Sequence, residues 1–393
     1  MTRCLKFYDK KKYYNMYLSS SVKKYSQGQL PTMLKETKTW GPWKGAAVEP
    51  LAAPPPDLAK YGGVNLTSGQ KKAIDYASKI SRPGGENAWF QSKVKARGHD
   101  PEVIAALVKR FKQELQIRVD RRMEPDSKSF HGVYKSGKLK NQFVVYTETG
   151  RKVSGGYVEP FKGGLRDLWE QVASGEAWME SKAYTAVGAG DALPLSEAVR
   201  RPNYGYVYDP ALHEKFPTRY GNVSFVLKDT VKRRATFTVG NSSQLGERSE
   251  KYFARHLAQV LTQPAGPARA EAIRLLESQR ESVVGVLSRN LANFDSIENT
   301  LVRMVDKYSP QELKAIVEDT SKPLANYTLR KFPGVSPNTL ESDAGNSYME
   351  AQIYGEVKLF RDVKEIVVYG KPADFAHIAK LAKAYRLPLR FVE

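Results

Sequence analysis

Along this chain the spacing of apolar residues switches repeatedly between a period of three to four and a period of two, and no other feature restricts the fold as much. Apolar residues three and four apart give a helix one buried face, whereas strict alternation gives a half-buried strand. Thr67-Ser-Gly-Gln70 offers a capping hydroxyl with a glutamine three residues on, and predicts a helix through KKAIDYASKI. Asp100-Pro101-Glu102 opens a second helix through VIAALVKRFKQEL, which runs into an alternating strand at 115–119. Further strands are expected at 141–147, 204–208, 222–228 and 234–239, with a short helix after Gly163-Gly164 around Leu168 and Trp169. Between 249 and 332, Ile273, Leu276, Val283, Leu287, Leu291, Phe294, Leu301, Met304 and Tyr308 recur at helical spacing and predict one or two amphipathic helices. Ser309-Pro310-Gln311-Glu312 is a capping box that starts another. Strand pattern returns at 350–359 and 363–369, followed by a helix at 373–385 and a closing strand at 389–392. This order predicts an α+β fold.

Covalent and metal staples are not expected to hold it. The single cysteine, Cys4, permits no internal disulfide and no cysteine metal site. The five histidines, His99, His131, His213, His256 and His377, have no ligand spacing, so no metal is expected. No apolar run approaches the length of a bilayer span. Lys10, Lys11 and Lys12 lack the apolar stretch of a secretory leader behind them, so the expected location is the cytoplasm, or a target cell reached without such a signal. Residues 1–60 read as a basic, tyrosine-rich arm ending in a linker with Pro50, Pro54, Pro55 and Pro56. Residues 61–112 read as an N-terminal helical region, and 113–393 as the main domain with a helical insertion at 249–340. Residues 1–122 hold 24 Lys/Arg against 10 Asp/Glu, a net +14 out of the chain's +20. That bias suits an acidic partner, such as nucleic acid, an anionic membrane surface or an acidic protein; it equally suits a solvated surface.

Three segments carry candidate chemistry. In Tyr348-Met-Glu350-Ala-Gln352-Ile-Tyr354-Gly355 a glutamate opens an apolar strand directly after a polar, glycine-containing stretch. Such a carboxylate can face a cleft, though the segment alone fits a solvent-facing glutamate before an ordinary strand better. In Leu115-Gln-Ile-Arg118-Val-Asp120 an arginine is centred in a strand, where it requires a partner if it points inward. Thr236-Phe-Thr238 places two hydroxyls on one face of a strand, able to orient a neighbouring carboxylate or simply reflecting the strand preference of threonine.

Together these segments resemble the core of the ADP-ribosyltransferase superfamily: an Arg or His on the first strand, a Ser/Thr or Tyr on a middle strand and a Glu on a late strand. The Glu350 segment is also similar to the catalytic strand of poly(ADP-ribose) polymerases, where Tyr-x-Glu precedes an apolar strand. The wider pattern resembles an uncharacterised bacterial family of the domain-of-unknown-function type. It appears as LTSGQKKAI (66–74), RVDR (118–121), a QF pair (142–143), GGLRDLWE (163–170), RPNYG (201–205), RYGNVSFVLK (219–228), RRATFTVGNSS (233–243) and YMEAQIYGEVKL (348–359). The resemblance covers roughly residues 65–393 and omits the arm. Where that family often carries His on its first strand, this chain has Arg118.

The resemblance implies a split mixed β-sheet core with a helical insertion and an N-terminal helical region. It implies NAD+ as substrate, release of nicotinamide and no metal. Glu350 would stabilise the positive charge that develops on the ribose as the C1′–nicotinamide bond breaks. Arg118 would hold a phosphate or ribose of NAD+. Thr236 and Thr238 would hold the Glu350 carboxylate, Tyr204 or secondarily Tyr208 would stack on nicotinamide, and Gln352, on the same strand face as Glu350, would line the site. Members that modify arginine tend to carry Glu two residues before the catalytic one; Tyr348 stands there, which disfavours an arginine target. A transferase with a basic arm suits a bacterial toxin or effector acting on a macromolecule, with nucleic acid or ribonucleoprotein as the expected target and an immunity protein as a further partner. Two other classes compete. One is a nucleic-acid-binding module that keeps the fold without the activity, favoured by the +14 amino-terminal region. The other is an RNA phosphotransferase of the same fold, which needs several basic residues around a 2′-phosphate; no such set adjoins Glu350 in the sequence.

The arm generates a first test. Deleting residues 1–45 is expected to leave NAD+ hydrolysis intact while weakening modification of an acidic target, and high salt is expected to mimic the deletion. A folded deletion protein unable to hydrolyse NAD+ would make the arm part of the site.

Overall fold

Each central strand is apolar on one side and polar on the other, and the pairing register brings the apolar sides together. The computed structural model describes residues 56–80, 88–150, 160–175, 177–178, 181–210, 220–239, 266–267, 291–324 and 349–393, all within one compact unit, Ala53–Glu393. The strands are β1 Ile117–Arg121, β2 Lys138–Leu139, β3 Asn203–Val207, β4 Val223–Leu227, β5 Ala235–Val239, β6 Leu291–Asn293, β7 Met349–Ile353, β8 Val357–Lys358, β9 Val363–Tyr369 and β10 Leu389–Val392. Eight of them form one mixed sheet in the order β10-β9-β4-β1-β3-β7-β5-β6, and β2 pairs separately with β8. Within the eight-stranded sheet, all neighbours are antiparallel except β9 and β10. The fold is therefore α+β, with no break dividing these eight strands into two sheets.

The helices are α1 Pro56–Lys60, α2 Ser68–Ile80, α3 Ala88–Arg97, α4 Pro101–Glu114, α5 Lys128–Ser136, α6 Gln142–Thr149, α7 Leu165–Ala173, α8 Lys182–Ala186, α9 Leu195–Ala198, α10 Val302–Lys307, α11 Pro310–Glu318, α12 Leu359–Asp362 and α13 Ala376–Ala384. Among the described residues, none is long and apolar enough to cross a membrane. One sheet face contributes Ile117, Val119, Phe225, Phe237, Ala351 and Ile366 to the main core, against Leu107 and Phe111 of α4 and Ile378 and Leu381 of α13. Gly205 allows close packing of β3 on β1, because a Cβ there would lie 2.5 Å from the Arg118 carbonyl oxygen.

The caps behave as the sequence predicts. Thr67 and Gln70 bond each other reciprocally, Asp100 caps α4, and Ser309 and Glu312 form a complete capping box. Strand 115–119 begins two residues later, as β1. Strands 363–369 and 389–392 stand at their expected bounds. Three expectations are overturned. Residues 141–147 are not a strand: Asn141 accepts from the Val144 N–H at 2.9 Å, Gly150 closes the other end with φ 63°, and the apolar run between them is α6. These two caps outweigh the strand preference of Val144 and Val145. Leu291 does not continue a helical stripe; it begins β6, paired with β5, and Phe294 follows that strand. The long strand 350–359 is broken at Gly355 (φ 76°), where the chain turns from β7 into β8 and α12. The arm as far as residue 55, and the residues 268–290 of the expected amphipathic stripe, lie outside the described residues.

A buried ion cluster ties the turn before β5 to α12. Arg234 Nη2 lies 3.0 Å from Asp362 Oδ2, an electrostatic contact rather than an aligned hydrogen bond. Arg361 donates to both Asp362 oxygens, and the Lys358 N–H donates to Oδ2. Burial pushes the Asp362 carboxyl up, but the Arg361 hydrogen bond and the Arg234 charge together pull it below the ordinary aspartate range. A lowered carboxylate pKa stabilises the fold above its unfolded value, and that contribution disappears as pH falls through the folded value. Asp362→Asn is expected to cost about 3–5 kcal/mol at neutral pH, because Arg234 is left buried without its counter-charge. Urea unfolding of both proteins as a function of pH checks this: the difference should shrink on acidification below the ordinary aspartate range. A pH-independent difference would remove the electrostatic explanation.

Candidate functional site

The other sheet face carries polar side chains in a band across its centre. Residues paired directly across antiparallel strands share a face. The register aligns Val226 of β4, Arg118 of β1, Tyr206 of β3, Glu350 of β7 and Thr238 of β5 in one row. Beside it, Tyr204, Gln352 and Thr236 form a second row. The three expected segments thus converge on one surface. Arg118, Thr236, Thr238, Glu350 and Gln352 are each no more than 5% exposed, so their polar atoms must find partners within the protein.

Gln352 supplies most of them on the Glu350 side. Its Nε2 donates to Glu350 Oε1 at 2.8 Å and to Thr238 Oγ1 at 2.9 Å, while the Thr236 hydroxyl donates to its Oε1 at 2.9 Å. The expected link from the threonine strand to Glu350 runs through this amide. Arg118 stands two strands from Glu350 with Tyr206 between them, a separation of about 10 Å at ordinary strand spacing. Its guanidinium lies 3.3 Å from the Tyr208 ring centroid, and it donates to Gln116 Oε1 at 2.9 Å and to the Tyr369 hydroxyl at 3.4 Å. Tyr206 donates to Asp120 Oδ1 at 3.0 Å.

Both tyrosines expected to stack lie against arginines. Tyr204 has the Arg166 guanidinium 3.4 Å from its ring centroid, so an arginine already occupies one face of Tyr204 and of Tyr208. The Tyr204 hydroxyl donates to Glu170 Oε1 at 2.9 Å. Helix α7 therefore meets the polar face through Arg166 and Glu170, neither of which sequence reasoning singled out. The signal was present in GGLRDLWE: the two residues are four apart, on one helix face, and they pair at 3.2 Å.

Below α7 the charges continue. Arg201 pairs with Asp167 and, at 3.4 Å, with Glu170 Oε2; Asp167 also accepts from the Tyr184 hydroxyl and the Gly163 N–H. Burial pushes the Glu170 carboxyl above the ordinary glutamate range, against the opposing charges of Arg201 and Arg166. Burial also opposes the Arg166 charge, but Tyr204, Glu170 and Glu350 hold it more firmly protonated than usual. Burial likewise pushes the Tyr204 hydroxyl well up, so it stays a donor.

A recess lined by Glu170, Trp178, Tyr204, Thr236, Thr238 and Gln352 encloses about 10 Å³, room for about one water. A groove of about 1070 Å³ lies elsewhere, between α3, α4 and the turn at Asp229–Arg234, and none of the site residues lines it. Among the described residues no group of three or more His, Cys, Asp or Glu is placed to hold a metal ion.

A family model described as protein of unknown function (DUF3626) matches residues 114–318. The chain belongs to that family. No curated protein matches it. The matched range carries Arg118, Arg166, Glu170, Tyr204, Thr236 and Thr238, and ends before the strand that bears Glu350 and Gln352.

Gln352→Leu keeps the volume but removes the amide that Thr236, Thr238 and Glu350 share. Chemical denaturation is expected to show a loss of about 3 kcal/mol. A loss below about 1 kcal/mol would mean that these groups do not depend on the amide.

Proposed function

We propose that this protein is an NAD+-consuming ADP-ribosyltransferase of the bacterial toxin or effector type, transferring ADP-ribose to a macromolecule and releasing nicotinamide. The observation that carries the reading is the single row Arg118–Tyr206–Glu350–Thr238, because it sets an arginine and a carboxylate on one face with a spacer between them. The ADP-ribosyltransferase-like character of the core rests on this row and on the resemblance of the segments that form it. In this reading Glu350, oriented by Gln352, stabilises the positive ribose as the C1′–nicotinamide bond breaks. Arg118, already flat against Tyr208, offers planar donors to a phosphate or ribose hydroxyl. The recess at Gln352 is far smaller than a dinucleotide, so binding requires it to widen between α7 and the β5–β7 strands.

The deciding experiment incubates the full chain with NAD+ labelled in the adenylate moiety and separates RNA, DNA and protein from a lysate. Nicotinamide release is followed in parallel. Glu350→Gln is expected to lower release by roughly a hundredfold or more with the fold retained. Arg118→Lys is expected to raise the KM for NAD+ on the order of tenfold, since lysine lacks the planar pair of donors. Absence of any nicotinamide release by the parent protein, or full activity in a folded Glu350→Gln protein, would overturn the reading.

A further inference from the structure

We propose that Glu170 is a second carboxylate of this site and takes the proton from the acceptor as ADP-ribose is transferred. The inference rests on the transferase reading above. Glu170 of α7 lines the same recess as Thr236, Thr238 and Gln352, opposite the strand that carries Glu350. Its Oε1 is engaged twice, by the Tyr204 hydroxyl at 2.9 Å and by Arg166 Nε at 3.2 Å. Among the described residues its Oε2 has only the longer contact from Arg201, at 3.4 Å, which leaves acceptor capacity on that oxygen.

A purely structural role is already filled next door. Asp167 fastens α7 to the chain before β3 through Arg201, and also binds Tyr184 and the Gly163 N–H. Burying a second carboxylate one turn along the same helix is costly, and that attachment does not require it. The groups that face Glu170 are Arg166 on its own helix, Arg201 before β3, Tyr204 on β3, Asp167, and Tyr354 just beyond β7. Arg166 sits in the field of both Glu170 and Glu350, so one cation serves two carboxylates. Burial keeps Glu170 above the ordinary glutamate range, closer to neutral pH than a surface carboxylate, which suits a general base.

The step balances. The O–H bond of the acceptor, water or a target hydroxyl, breaks, and its proton passes to Glu170 Oε2. The freed oxygen lone pair forms a bond to ribose C1′. The C1′–nitrogen bond breaks with its electron pair leaving on nicotinamide, which departs neutral. Glu350 faces the positive ribose throughout.

The test uses the full chain with water as acceptor. The parent protein should release nicotinamide with an acidic limb that lies above the ordinary glutamate range. Glu170→Gln, which keeps the side chain's size, should bind NAD+ within about threefold of the parent. It should turn over roughly a hundredfold more slowly and lose that limb. If Glu170→Gln does not fold, Glu170→Asp should be active with the limb shifted. A parent that neither binds nor cleaves NAD+ would overturn the transferase reading and this inference with it. A parent that cleaves NAD+ beside a folded Glu170→Gln of equal rate and equal pH profile, or a Glu170→Asp with an unshifted limb, would overturn this inference alone.

Discussion

Burying a row of polar side chains across the centre of a sheet is the constraint to which the rest of this structure answers. A sheet covered on both faces is most stable when both faces are apolar, yet here one face carries Arg118, Tyr206, Glu350 and Thr238 in line. Leaving any of them unpaired would cost more than a typical hydrogen bond contributes. Satisfying them requires an amide able to donate twice and accept once at one point, and Gln352 does so from the neighbouring row. Beside that row, Arg166 of α7 lies over the Tyr204 ring and Glu170 accepts from the Tyr204 hydroxyl.

The charges under α7 show a division of labour within one helical turn. Asp167 and Glu170 are both buried and both near Arg201, but their surroundings differ. Asp167 is saturated by an arginine, a tyrosine hydroxyl and a backbone N–H, and so fixes the helix. Glu170 leans toward the sheet, against Tyr204 and Arg166. Two acids three residues apart on a helix stand about 60° apart around its axis, and here that offset is enough to give them different environments.

Much of the fold was legible because strands with one buried face write their period into the sequence. Strands β1, β3, β4, β5, β9 and β10 were all found that way, with ends displaced by no more than two residues. Helix α6 was misread because Phe143, Val144 and Val145 favour strands, while the caps that decide the matter are single residues at each end. Strand β6 is three residues long, too short to show a period of its own. The shared face of Arg118, Thr238, Glu350 and Gln352 could be anticipated from their strand positions. Which strands lie side by side could not: β7 pairs with β3 and β5, more than a hundred residues earlier, and nothing local records that choice. Arg166 and Glu170 were not singled out, since only packing brings Tyr204 against them.

That late arrival of β7 governs how the molecule is assembled during synthesis. Until residue 349 has emerged, β3 and β5 have no strand between them, and the sheet can exist only as two pieces with open edges at its centre. The strand that closes the gap is the one that carries Glu350 and Gln352. Joining the two halves and completing the polar row are therefore a single event, with a long loop to close and correspondingly slow folding. A nascent or truncated chain that stops short of β7 has neither a continuous sheet nor the completed polar row.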